Sequence, residues 1–334
     1  MKPAGMGEEG PADGQIPSRR VAILWGGGLG DVLVMRPMLE ALIRRGDEPV
    51  YLTRSDRCTP VFAALALPIQ RRTLPRPALA AFRALRAAGF FDWVYTGPGS
   101  GWRTRLLARM LRSGRSRSQG GRARSGFVAD AIAEDVVALG LADRHPPPYG
   151  SRPIFPEIRE APSRPPEEPY LVLHPGSRSD WQTKCWPMVR WQALLETLSA
   201  CGWRMLVVGT AEERETLAPL MTGRSRAERV SLHTDWPLAR LERYIAGAAG
   251  VICHNSGVMH LALAYRRPTV VLTGSSARHW RAAYPEVFNL DSGRCRLACN
   301  RRRCPVPGFR ARCIRSLEIG PVVDACLALW AGGL

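Results

Sequence analysis

Lysine is all but missing from this chain of 334 residues. Only Lys2 and Lys184 occur, and arginine supplies the other 45 of the 47 basic residues. A GC-rich genome produces that ratio, so the bias itself says nothing about function. It does leave Lys184 as the single lysine of the folded body. Acids are scarce as well. With 29 Asp and Glu, the formal net charge is +18, and no acid lies between Asp92 and Asp130. Such an excess invites anionic partners: nucleic acid, a membrane surface or phosphorylated substrates. Long apolar runs are also missing, and none reaches the roughly 18 residues of a membrane span. Residues 1–19 are rich in Gly and Pro without an apolar signal core, so they read as a disordered tail. A soluble, cytoplasmic protein is expected. The 46% hydrophobic content supports a packed core and argues against global disorder.

What is present divides the chain in two. Nine prolines fall within residues 145–170, a density that excludes helix or central strand. Residues 145–169 read as a linker between domains at 20–144 and 170–334. Each half opens with a short apolar run ending in small residues, Arg20–Trp25 before Gly26 and Tyr170–His174 before Pro175, Gly176 and Ser177. Both read as buried parallel strands. Helix-like segments at Met38–Arg45 and Val189–Cys201 follow, and Pro37 places the first helix start near Arg36. Further strands are expected at Val50–Thr53, Trp93–Thr96, Arg204–Gly209, Gly250–Cys253 and Thr269–Thr273. Alternating strands and helices imply two doubly wound Rossmann-like α/β domains facing a cleft.

Three turns carry the chemistry. The first, Gly26 through Asp31, is not a dinucleotide fingerprint, because Asp31 stands where the last glycine belongs. Gly28 and Gly30 let the backbone turn and a ligand approach closely. Asp31 reads either as a helix cap or as a general base. The second turn runs from His174 to Pro187. Ser177 and backbone N–H groups can donate to phosphate oxygens, and Lys184 supplies a point charge. The third, Cys253 to His260, places Asn255, Ser256 and Gly257 at a helix N-terminus, where free N–H groups favour an anion. Taken alone, Ser256 is a cap and His260 a core histidine.

These turns, the strand Phe91–Tyr95 with its arginine-rich helix, and Trp186-Pro187 resemble the family 9 glycosyltransferases, the ADP-heptose heptosyltransferases. The resemblance spans residues 20–330 and implies a GT-B fold, with acceptor on the first domain and ADP-sugar on the second. It makes Asp31 the catalytic base, with Gly28 and Gly30 on the acceptor side. Lys184, Ser177, Asn255, Ser256, Gly257 and His260 fall on the donor diphosphate side. Glu213, or its neighbour Glu212, would hold the ribose. Many members carry aspartate where Asn255 stands. The implied reaction is inverting transfer of heptose to a lipopolysaccharide inner-core sugar. Lys184 and the helix N-terminus stabilise the leaving ADP, so no cofactor is required. Protein heptosylation and non-catalytic nucleotide-sugar binding are the alternatives.

Eight arginines lie between Trp102 and Arg124. Leu106, Leu107, Met110 and Leu111 give the first part an apolar helical face, and Ser113–Gly126 reads as a loop without a core role. Arginine forks suit phosphate and carboxylate groups. Arg115, Arg117 and Arg122 are therefore candidates for an anionic glycolipid acceptor, with peripheral association at the inner membrane. No nucleic-acid motif accompanies the charge. Four of the nine cysteines cluster at Cys295, Cys299, Cys304 and Cys313. In a reducing compartment they read as ligands of a structural zinc or iron, or as free thiols. Replacing Arg115, Arg117 and Arg122 by glutamate is expected to weaken acceptor use more than donor binding. Steady-state kinetics in both substrates check this, and equal loss of both removes the arginines from the acceptor side.

Overall fold

The computed structural model describes residues 17–55, 59–98, 100–118, 126–155, 166–176, 183–222, 228–276, 278–294, 297, 299, 301 and 303–330. In the first domain the elements run β1 (Arg20–Leu24), α1 (Leu29–Arg44), β2 (Glu48–Thr53), α2 (Thr59–Leu65), β3 (Gln70–Thr73), α3 (Ala78–Ala87), β4 (Phe90–Thr96), α4 (Trp102–Met110), β5 (Arg112–Ser118) and α5 (Val128–Ala138). In the second they run β6 (Tyr170–His174), α6 (Met188–Ala200), β7 (Arg204–Val208), α7 (Arg214–Leu217), β8 (Val230–His233), α8 (Leu238–Ala246), β9 (Gly250–His254), α9 (Gly257–Ala264), β10 (Thr269–Leu272), β11 (Val287–Leu290), α10 (Arg312–Arg315) and α11 (Ile319–Trp330).

Two parallel sheets result, ordered β3-β2-β1-β4-β5 and β11-β10-β9-β6-β7-β8. Strand direction of travel reverses between β1 and β4 in the first and between β6 and β9 in the second. Such switch points open a crevice at the carboxyl ends of the strands. The glycine loop follows β1, the Lys184 turn follows β6, and the Asn255 turn follows β9. Topology alone therefore brings all three to the two switch points.

Helix α1 starts at Leu29, not near Arg36, and Pro37 lies inside it. Its residues Val32 to Leu39 are buried without a break. A helix apolar all round belongs in a core, and that packing outweighs the lost hydrogen bond at Pro37. The loop expected at Ser113–Gly126 is strand in its first part, and residues 119–125 of it lie outside the described residues. Residues 112–118 form the edge strand β5, whose backbone pairs along β4 from Phe90↔Arg112 to Thr96↔Ser118. Serine, glycine and arginine give no strand pattern, so the pairing comes from the neighbour. On α4, Leu111 is buried, but Leu106 is 49% exposed and points away from the core that Leu107 and Met110 join.

One apolar cluster spans both domains, from Val32, Met35 and Ile132 of the first to Tyr244, Met259 and Leu261 of the second. Residues 149–155, the start of the proline-rich stretch, are fastened to each side. The buried Arg36 guanidinium donates to the carbonyls of Ser151 (2.6 Å) and Pro153 (3.2 Å) and pairs with Glu40. On the opposite side, the buried Glu242 carboxylate accepts the N–H groups of Ile154 (2.6 Å) and Phe155 (2.8 Å) and the Tyr265 hydroxyl. Hydrogen bonds to charged groups are worth about 1.5–3 kcal/mol each, so this segment is held, not draped.

Candidate functional site

Where the two sheets face each other lies a cleft of about 1220 Å3. Gly28, Gly30 and Asp31 line it from the first domain; Lys184, Glu213, Asn255, Ser256, Gly257 and His260 line it from the second. Nine candidates thus share one cavity. Ser177 and Arg122 lie outside the described residues. Arg115 and Arg117 sit on β5, the edge strand two places from β1.

The helix starts α1 and α9 meet across the cleft. A Cβ on Gly30 would come within 2.5 Å of the His260 ring, and one on Gly257 within 2.6 Å of Leu29. Any larger side chain at either position would push the domains apart. Gly28 caps α1, and Asp31, in its first turn, accepts the Gly28 N–H at 2.8 Å. Asp31 is therefore a cap and a cleft residue at once. The hydrogen bond fixes its carboxylate at the mouth of the glycine loop.

Ser256 does something different. It stands at the N-cap of α9, yet its hydroxyl makes no cap bond and lies 3.2 Å from Nδ1 of His174. The Ser256 side chain thus leaves the first N–H groups of α9 uncapped, and this end of the helix borders the cleft. Helix N-termini of this kind attract anions. The Lys184 charge is close by. It contributes, after burial, to pushing His260 down to about 3, and it also lowers His254, which burial takes to about 3. His174 is lowered by burial too, partly offset by Glu213. At neutral pH all three rings are uncharged.

Glu213 accepts the Thr210 N–H at 2.8 Å and the Thr210 hydroxyl at 3.2 Å, at the carboxyl end of β7. Glu212 is exposed and does not line the cleft. Asn255 donates its amide to the Trp280 carbonyl, a bond that an ionised aspartate could not make. This ties the α9 turn to the loop carrying Trp280.

Residues in the cleft and packed behind it escaped the sequence reading. His260 is boxed by Phe127, Tyr149 and Trp280, and the Tyr149 hydroxyl lies 3.1 Å from its Nδ1. Tyr149 belongs to the proline-rich stretch, where nothing marked it. After β8, Trp236 stacks on His233 (4.1 Å between ring centres) and also lines the cleft. The Asp235-Trp236-Pro237 turn signal following an apolar strand was the available clue.

Comparison with known proteins fits this geometry. The sequence model of glycosyltransferase family 9 (heptosyltransferase) matches residues 153–309. That stretch, a little under half of the chain, is similar to glycosyltransferase family 9. Lipopolysaccharide heptosyltransferase 1 of Pseudomonas aeruginosa is 34% identical over 120 residues, 36% of this chain. The match spans 32% of the length of that relative. Among solved structures, a family 9 glycosyl transferase from Veillonella parvula covers 94% of this chain and 98% of its own, at 16% identity and TM-score 0.61. The E. coli heptosyltransferase WaaC with ADP covers 94% and 98%, at 19% identity and TM-score 0.60. The chain shares the GT-B fold of these structures, with two parallel sheets and their helices.

In its cysteine region, Cys295 lies outside the described residues. Cys304 Sγ points to the Val306 carbonyl, and the buried Cys313 Sγ to that of Thr183. Among the described residues no three His, Cys, Asp or Glu side chains converge on a metal position.

The buried histidines make a measurable prediction. They stay neutral in the folded chain, whereas the unfolded chain binds protons below about pH 6.5. Stability is therefore full above that pH and falls as pH drops, by about 1.4 kcal/mol per pH unit for each proton taken up. Denaturant titrations between pH 6.5 and 5 are expected to show this slope, and His260→Gln to make it shallower by about one proton.

Proposed function

We propose that this protein is an inverting glycosyltransferase that moves heptose from ADP-heptose to an anionic sugar of the lipopolysaccharide inner core. The observation that carries the reading is the uncapped start of α9 beside Lys184, on the wall opposite Asp31. That arrangement suits a diphosphate on one side and an attacking hydroxyl on the other. The similarity to lipopolysaccharide heptosyltransferase 1 and the family match support heptose and the lipopolysaccharide acceptor.

The chemistry follows from where charge moves. The acceptor hydroxyl attacks the anomeric carbon as the bond to the diphosphate breaks. Its proton passes to the Asp31 carboxylate, which the Gly28 N–H holds in place. The electron pair of the broken bond leaves with ADP. The Lys184 ammonium and the α9 N–H groups oppose that growing charge in a partly water-excluded cleft. Glu213, at the end of β7, takes the ribose hydroxyls, and Trp236 lines the cleft after β8. The acceptor enters over Gly28 and Gly30.

Base catalysis of this kind is worth about 10²–10⁴-fold. Asp31→Asn keeps the size and can still accept from Gly28, so transfer is expected to fall by at least about 100-fold with ADP affinity unchanged. A radiolabel or coupled ADP-release assay, paired with calorimetry, checks both. Transfer at the wild-type rate would exclude Asp31 as the base.

A further inference from the structure

Nine large apolar side chains are exposed among the described residues, and five of them fall between positions 79 and 106. Their placement is ordered. Helices α3 and α4 pack side by side on the outer face of the first sheet, opposite the α1 and α5 side that meets the second domain. On α3 the inward residues are Ala81, Leu85 and, just past its end, Ala88; the outward ones are Leu79 (63% exposed), Phe82 (37%), Arg83 and Arg86. On α4, Ala108 turns inward, and Trp102 (65%), Arg103, Leu106 (49%) and Arg109 turn outward. Both helices thus carry a second apolar set that faces water, besides the residues they give to the core. The outward residues recur at helical spacing, 79-82-83-86 and 102-103-106-109, so each helix has an apolar and basic stripe. Phe90, 55% exposed, lies at the start of β4 between them in the chain.

Charge surrounds the stripes. Thirteen arginines lie between Arg71 and Arg124 against one acid, Asp92, which already accepts the Arg20 N–H. Arg83, Arg86, Arg103 and Arg109 are exposed, and among the described residues none of them pairs with an acid. Arg103 lies over the Trp102 ring at 5.3 Å.

We propose that the outer face of α3 and α4 docks on an anionic lipid bilayer. Apolar side chains interleaved with arginine match a plane of acyl chains beneath negative headgroups. Tryptophan favours that boundary, and each basic residue near such a surface adds attraction. A nucleic acid would use the arginines but leaves Leu79 and Leu106 without a role. The helix starts, with Leu79 and Trp102, follow the carboxyl ends of β3 and β4, the same sheet edge as the glycine loop after β1. Docking there sets the mouth of the cleft beside the membrane. This surface stands on its own evidence and does not require heptosyl transfer.

The test is co-sedimentation of the full chain with vesicles of phosphatidylcholine alone or mixed with phosphatidylglycerol. Wild-type protein is expected to bind the mixed vesicles and to bind neutral ones far less. Replacing Leu79, Phe82, Trp102 and Leu106 by serine should lower binding to mixed vesicles by roughly tenfold or more. Replacing Arg83, Arg86, Arg103 and Arg109 by glutamate should do the same. Thermal midpoint and ADP affinity should stay unchanged in both, and the arginine variant decides if the apolar one does not fold. Serine at the distant exposed residues Val189 and Leu327 should leave binding intact. Equal binding to neutral vesicles, wild-type binding by the arginine variant, or equal loss in the Val189 and Leu327 variant would overturn the proposal.

Discussion

Two helix starts, one from each domain, are pressed together across the cleft, and the rest of the structure depends on that contact. Gly30 lies against His260, and Gly257 against Leu29. Because the backbones come so close, His260 is sealed among Phe127, Tyr149 and Trp280 and cannot hold a proton near neutral pH. The same contact lets one apolar cluster run through both domains. Arg36 and Glu242 then fasten the segment 149–155 to either side, so the relative position of the domains is fixed by buried charge as well as by packing. A tyrosine hydroxyl bridges them again, from Tyr284 to Asp130 at 2.6 Å.

Polarity inside the cleft follows from how each helix start is satisfied. Asp31 fills the start of α1 with its own carboxylate. Ser256 turns from the start of α9 to His174. One helix end is thereby made negative and the other left to attract an anion, with Lys184 beside it. That asymmetry is what separates a proton acceptor from a leaving-group site within a single cavity. Four exposed arginines, Arg83, Arg86, Arg103 and Arg109, lie elsewhere, on the far face of the first sheet.

Much of this was legible in the residues. Short Val/Ile/Leu runs ending in glycine, serine or asparagine marked parallel strands and their turns, and every turn so marked lines the cleft where its residues are described. Lys184 stood out because the chain otherwise uses arginine. Other features were hidden for physical reasons. Pro37 signalled a helix start, but burial on all sides of α1 carried the helix across it. Ser113 to Ser118 had no strand character, and β4 imposed it. Leu106 read as core because a helical wheel does not say which apolar stripe faces inward. Tyr149 and Trp280 were invisible because their role depends on a contact between domains, which no local pattern records.

The central claim is that Lys184 and the start of α9 bind the diphosphate of an adenine nucleotide. Calorimetric titration with ADP, GDP and UDP tests it most directly, because a specific ligand must bind the native cleft measurably. ADP is predicted to bind one site per chain, more tightly than GDP or UDP, and to lose roughly tenfold or more in affinity with Lys184→Ala. Absence of ADP binding, or binding that Lys184→Ala leaves unchanged, would contradict the account.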